Sequence, residues 1–254
     1  MFSRRFWAVA LCTFVVIVTV GGGPTAAEED RSPKNLQFFP KDMKREDLIP
    51  LMRNFSFALG VACTHCHGTE EQTGFNLSGV DFSLDIKPAK EKARSMLRMT
   101  DEINKKLLAP IPASSLDLKV RCFTCHSGLP LPESIEDRVL RKIYAKGIDS
   151  AIEDYRAVRE DYHGSAAYNF LQQPLVEVAS ALHGDGQYKE AAAISKLNLE
   201  FHPESGQSRF RLAEAYFQLG DKESARRTYR EILSVRPEDK RVLARLEELG
   251  DTQP

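Results

Sequence analysis

The sequence predicts an all-α fold, a small helical domain followed by an α-solenoid of stacked hairpins. Three observations predict it. The C-terminal part repeats itself with a period of 34 residues: Leu182 pairs with Tyr216, Gly186 with Gly220, Ala191 with Ala225, Leu199 with Leu233 and Pro203 with Pro237. Ahead of that repeat, two stretches carry apolar residues at helical spacing. Nowhere do apolar and polar residues alternate at period two for more than a few positions, so almost no β-structure is expected.

Residues 1–27 read as an export signal. Arg4 and Arg5 form a positive start, Ala8 to Val20 is uncharged and apolar, and Thr25-Ala26-Ala27 offers small residues for cleavage. An uncleaved anchor is the alternative, since Phe6 to Gly23 approaches a bilayer span. Either way the bulk of the chain is expected to be exported: periplasmic, and soluble or N-terminally anchored. The net charge is −1, and loss of the two arginines of residues 1–27, which hold no acid, takes it to about −3. That balance gives no reason to expect nucleic acid or a membrane surface as a partner.

Residues 28–40 are polar, contain Pro33 and Pro40, and read as an extended lead-in. Lys44 to Leu59 reads as a helix, with Leu48, Met52, Phe55 and Leu59 on one stripe and Gly60 as its stop. Pro50 either kinks that helix or marks its true start. Ala89 to Leu108 reads as a longer helix, entered at Pro88 and ended by Ala109-Pro110. Ala93, Met96, Thr100, Ile103 and Leu107 line one of its faces.

After each helix comes one pentapeptide: Cys63-Thr64-His65-Cys66-His67 and Cys122-Phe123-Thr124-Cys125-His126. Cys-x-x-Cys-His is the attachment signature of c-type haem. Each thiol adds across one haem vinyl group as a thioether, and the following histidine binds iron. Of the five cysteines, Cys12 lies in the apolar N-terminal run and the other four belong to these motifs, so none remains for a structural disulfide. The expected cofactor is two covalent haem c groups, with His67 and His126 as proximal iron ligands. A zinc ribbon spaces its two Cys-x-x-Cys pairs by about 15 to 20 residues, whereas 55 separate Cys66 from Cys122. A thioredoxin-like reading lacks a surrounding βαβ pattern.

Each iron needs a second ligand unless its site is open, and methionine is a usual one. Met52 lies eleven residues before Cys63, on the apolar stripe. Met96 and Met99 are neighbours on the second helix, and either suits the second iron. Core packing is the competing reading for all three. Arg94 and Arg98 flank Met96 and are either haem-propionate partners or solvated helix charges. His65 is expected at the surface, as are His163, His183 and His202 in the C-terminal region.

Leu129-Pro130-Leu131-Pro132 punctuates the chain, and residues 135–250 are charged, alanine- and leucine-rich and helical in period. The expected organisation is a signal peptide or anchor (1–27), a dihaem cytochrome c domain (28–134) and a repeat domain (135–254). The 34-residue period is that of tetratricopeptide repeats, and the resemblance covers roughly residues 147–250. Residues 238–250 are expected as a capping helix, amphipathic through Val242, Leu243, Leu246 and Leu249. Ala151-Ile152 with Tyr155 echoes Ala225 with Tyr229 and suggests half of a degenerate earlier repeat.

Residues 35–128 also resemble the cytochrome subunit of photosynthetic reaction centres and its non-photosynthetic relatives. The resemblance rests on Leu51-Met52-Arg53, Gly60-Val61-Ala62-Cys63, the run Ala93-Arg94-Ser95-Met96-Leu97-Arg98-Met99-Thr100, Ile103-Asn104 and Val120 to Gly128. It implies that each site is built from a helix, a turn and the attachment motif, with a helix methionine on the distal side of the iron. Carried over, Met52 pairs with His67 and Met96 with His126. Met99 becomes packing, or the fallback ligand of the second iron. The reaction-centre subunit carries two pairs of haems, whereas this chain offers one pair and then repeats, which puts a photosynthetic role in doubt.

These readings imply an electron carrier rather than an enzyme, with no catalytic residue and no small-molecule substrate expected. Its expected partners are redox proteins of a membrane-associated electron-transfer complex, docked through the repeats. The alternatives are a dihaem peroxidase and a haem-based sensor or assembly factor. An open, ligand-binding iron would favour either one.

Overall fold

The computed structural model describes residues 32–111 and 118–251. The expected export signal, with Cys12, lies outside the described residues. Among those described the chain is helical, with no strand. The helices are α1 (Arg45–Leu59), α2 (Pro88–Glu102), α3 (Cys122–His126), α4 (Ile135–Lys146), α5 (Ile148–Tyr162), α6 (Gln172–Gly184), α7 (Tyr188–Phe201), α8 (Gly206–Gln218), α9 (Lys222–Val235) and α10 (Lys240–Glu248).

Helix α1 runs through Pro50 and stops at Gly60, whose φ of 65° closes the helix with N–H bonds back to the last turn. Pro50 is thus neither the start nor the end, and the carbonyl it leaves unpaired, that of Glu46, lies on an exposed residue where water can serve it. Helix α2 starts at Pro88, where a missing N–H costs nothing, and widens into a π-helical turn over Ile103–Leu108.

The repeats keep their period in three dimensions. Helices α6 and α7 start at residues 172 and 188, and α8, α9 and α10 start at 206, 222 and 240. Gly186 and Gly220 occupy the same left-handed turn, with φ of 73° and 76°. Ala191 and Ala225 are both fully buried where neighbouring helices cross. Successive helices from α6 to α9 pack side by side, and α6 also touches α8. Helices α4 and α5 form a complete hairpin joined at Gly147, not half a repeat, and Ala151 and Tyr155 are buried like their echoes Ala225 and Tyr229. In α10 and at its C-cap, Val242, Leu246 and Leu249 are buried, but Leu243 is exposed, because the helix covers α9 with one narrow stripe and leaves its outer side to solvent. A buried polar link joins α8, α9 and α10: Arg245 grips Glu214 through two bonds of 2.9 Å, and the Tyr229 hydroxyl donates to the same carboxylate.

Burial divides the molecule sharply. One continuous core runs from Leu129 through α4–α7 to Leu212 and Ala215, and a second occupies α8–α10. Among the described apolar residues of 32–131, only Leu36, Ala58 and Leu129 are buried. Phe57, Phe75, Phe82, Met96, Met99 and Leu107 are exposed there instead.

Candidate functional site

Both attachment motifs form short helical turns. Cys63–His65 makes a 3-10 turn after α1, and Cys122–His126 makes α3. None of the four motif cysteines is in a disulfide. Burial pushes the Cys66 thiol up, with Lys87 pulling against it, and burial likewise raises Cys122. His65 points to solvent, as expected.

The two motifs are brought against each other. Phe57 of α1 stacks on Phe123 inside the second motif, ring centroids 5.4 Å apart. The Gly128 N–H donates to the Ala58 carbonyl at 2.9 Å. A Cβ on Gly60 would lie 2.1 Å from the Gly128 oxygen, so glycine is required there both for its positive φ and for the close approach. On another side of α1, Ser56 Oγ sits 3.9 Å from Cys63 Sγ. Met52, one turn earlier on the same face and half-buried, therefore lies on the side of the first motif.

Each motif histidine is oriented by a backbone carbonyl. His67 Nδ1 is 3.2 Å from the Phe82 oxygen, and His126 Nδ1 is 2.8 Å from the Leu129 oxygen. A carbonyl only accepts, so the ring proton sits on Nδ1 and Nε2 keeps its lone pair. Burial and then Lys90 hold the His67 imidazole below its ordinary pKa and favour this neutral form. For His126 the carbonyl is delivered by a tight turn: Ser127 and Gly128 both have positive φ, and the Leu129 N–H returns to the His126 oxygen at 2.8 Å.

Helix α2 spans the two motifs. At its start the buried Lys87 ammonium donates to the Thr64 and Gln72 carbonyls, at 2.6 and 2.8 Å. In its π-helical end Asn104 exchanges two 2.8 Å bonds with the Val120 backbone, two residues before Cys122. Between them Met96 and Met99 are 45% and 47% exposed, so exposure does not separate the two as ligands. Arg94 is not a solvated helix charge: it is buried and bound by Asp85 at 2.8 Å and Glu91 at 3.0 Å. Arg98 is half-exposed and also bonds Glu91. Of the histidines expected at the surface, His163 is exposed, whereas His183 and His202 are partly buried among the repeats, where His202 Nε2 meets the Phe170 carbonyl at 3.1 Å.

Haem c fits this arrangement. Two thiols and one imidazole lone pair sit at each motif, and the surrounding domain leaves large apolar side chains without a core. The residues that pin the motifs in place, Lys87, Asn104, Asp85 and Lys90, did not stand out in the sequence. Ile103-Asn104 lies in a stretch that carries the family resemblance, and that is the one signal that pointed to Asn104.

Comparison with known proteins agrees with the second motif and with the repeats. Residues 75–177 match the family model described as the photosynthetic reaction centre cytochrome C subunit, and residues 182–248 match a tetratricopeptide repeat. The cytochrome match contains the second motif with Met96 and Met99, begins after the first motif, and crosses the boundary expected at 134. Cytochrome c-554 of Chloroflexus aurantiacus is 33% identical over 75 residues, which are 30% of this chain and 16% of that protein. Among solved structures, the first TPR of Spaghetti (RPAP3) bound to HSP90 peptide SRMEEVD aligns at 17% identity and a TM-score of 0.33. It covers 46% of this chain and 87% of that one. The chain resembles, in two successive segments, a cytochrome of the reaction-centre cytochrome C subunit type, whose cofactor is covalently bound haem c, and the tetratricopeptide repeat.

Proposed function

We propose that this protein is an exported dihaem c-type cytochrome that relays single electrons between protein partners and docks through its repeats. The observation that carries the reading is the pair of abutting Cys-x-x-Cys-His turns, each with its histidine Nδ1 on a carbonyl and Nε2 available. Haem c, when bound, supplies reversible one-electron chemistry at iron. Cys63, Cys66, Cys122 and Cys125 hold it covalently, and His67 and His126 are the proximal ligands. Met52 is the distal ligand of the first site, supported by its side of α1. Met96 serves the second, with Met99 as fallback. The direct Gly60–Gly128 contact keeps the two sites in one unit, and Lys87 and Asn104 hold α2 across both.

The proposed organisation is a removed or anchoring segment at 1–27, a haem domain at 28–134 and repeats at 135–254. No described helix is long and apolar enough to cross a membrane. The docking surface is the groove between α6, α8 and the α9–α10 corner, about 220 Å³ in volume. It is lined by the apolar Val176, Phe210 and Ile232 and by charges of both signs, Glu177, Arg211, Arg236 and Asp239 among them. A redox partner, as part of a membrane-associated complex, is the proposed occupant.

The test is haem content and an optical spectrum of the exported protein, oxidised and reduced, with and without carbon monoxide. Two covalent haems per chain and no shift with carbon monoxide are expected. Met52→Leu and Met96→Leu should each weaken the methionine–iron band and admit carbon monoxide, while Met99→Leu should not. High-spin bands or a carbon monoxide shift in the unsubstituted protein would overturn the closed relay and favour a peroxidase or sensor.

A further inference from the structure

The two histidines are not held alike. At the first motif the Phe82 carbonyl, 3.2 Å from His67 Nδ1, also accepts the Lys90 ammonium at 3.0 Å. Lys90 is largely buried and has four oxygens for three N–H groups: Phe82, Ser83 at 3.1 Å, Leu84 at 2.6 Å and the Asp85 carboxylate at 2.8 Å. The Phe82 ring also packs against the His67 ring, centroids 5.2 Å apart. At the second motif His126 Nδ1 meets the Leu129 oxygen at 2.8 Å, inside a His-Ser-Gly-Leu turn that contains no lysine or arginine.

A carbonyl that accepts from imidazole Nδ1–H makes the ring a stronger donor at Nε2. A stronger donor stabilises ferric over ferrous iron and lowers the potential. A cation on the same carbonyl withdraws its electron density and weakens that effect. Its own charge also opposes the extra positive charge of ferric iron, more strongly out of water than in it. Asp85 offsets part of this charge but is itself shared with Arg94, and Lys87 adds a further buried cation at Thr64. The longer histidine bond and the surrounding charge both act in one direction at the first site.

We propose that Lys90 is a positioning residue that acts on His67 through the Phe82 carbonyl and sets the first haem at a higher potential than the second. With haem c held at both motifs, an electron on the second site would pass to the first, the iron at His126 being oxidised as the iron at His67 is reduced, with no other reactant entering. This rests on the dihaem reading above.

The experiment is a spectroelectrochemical titration of the full-length, haem-loaded protein beside Lys90→Met, Lys90→Gln and Lys90→Arg. The unsubstituted protein should show two one-electron steps. Either neutral variant should lower the upper step by the equivalent of about a threefold or larger change in the reduced-to-oxidised ratio, tenfold being about 59 mV. The lower step should stay, and Lys90→Arg should keep both. Lys90→Gln still donates to the carbonyls and serves if Lys90→Met does not accumulate. A variant that loses thermal stability with its upper step unmoved would show a structural role only and overturn the proposal, as would a shift of the lower step or coincident steps in the unsubstituted protein. Fewer than two covalent haems per chain would instead overturn the dihaem reading itself, and this proposal with it.

Discussion

At the scale of single residues, Gly60 carries two constraints at once. Its φ of 65° is left-handed, and its Cα faces the Gly128 oxygen. The left-handed conformation alone costs a residue with a Cβ about 1–2 kcal/mol. Gly74 has a similar φ of 69° with no atom near its missing Cβ, which makes it the matched control. We expect Gly60→Ala to destabilise the haem-loaded protein by more than about 2 kcal/mol, and Gly74→Ala by roughly half that or less, in denaturant titrations. Equal losses would mean that the two motifs do not meet at this point. Gly60 was legible in the sequence as a helix stop. Its second role was not, because that depends on a carbonyl 68 positions along the chain.

At the scale of elements, Asp85 ties the lead-in to α2. Its carboxylate accepts from Arg94 and Lys90, and from Asn35 and Gln37 of the lead-in at 2.9 and 3.2 Å. Arg94 first, then Lys90 and Asn35, hold its carboxyl well below the usual carboxylate range. A carboxylate whose folded pKa is depressed stabilises the fold above its unfolded pKa and loses that contribution as pH falls through the folded one. Docking of residues 32–40 on α2 should therefore weaken below about pH 4, the unfolded Asp value. Hydrogen exchange of the lead-in measures it. Asp85→Asn should raise that exchange at neutral pH and flatten its acid dependence; a profile unchanged by the substitution would sink the assignment. The sequence showed where α1 and α2 lie, because apolar stripes and Gly and Pro boundaries are local signals. It did not show the π-helical turn at Ile103–Leu108, which is stabilised by Asn104 reaching Val120 across the chain.

At the scale of the whole molecule, the two halves are stabilised differently. The repeats bury a continuous apolar core, whereas residues 32–131 bury three described apolar side chains and expose many. On the proposed reading, haem supplies the missing core of the first half. A variant with Cys63, Cys66, Cys122 and Cys125 all replaced by alanine should then be cleaved readily within 32–131 under limited proteolysis. Residues 135–250 should remain as a resistant fragment with a cooperative melt. Equal resistance of the first half with and without the cysteines would mean that it folds without the cofactor.

The sequence by itself determined the helical class, the 34-residue period and the two attachment motifs, since covalent spacing and helical periodicity are properties of neighbouring residues. The helix starts at 172 and 206 and at 188 and 222 keep that period in the fold. Only the tertiary structure decided that the motifs abut at Gly60 and Gly128, that Arg94 is buried against Asp85 and Glu91, and that Lys90 shares a carbonyl with His67. Each of these turns on a backbone oxygen or on the rank of competing partners. A backbone oxygen is the same in every residue type, so nothing in the letters of the chain marks which one a distant histidine or lysine will meet.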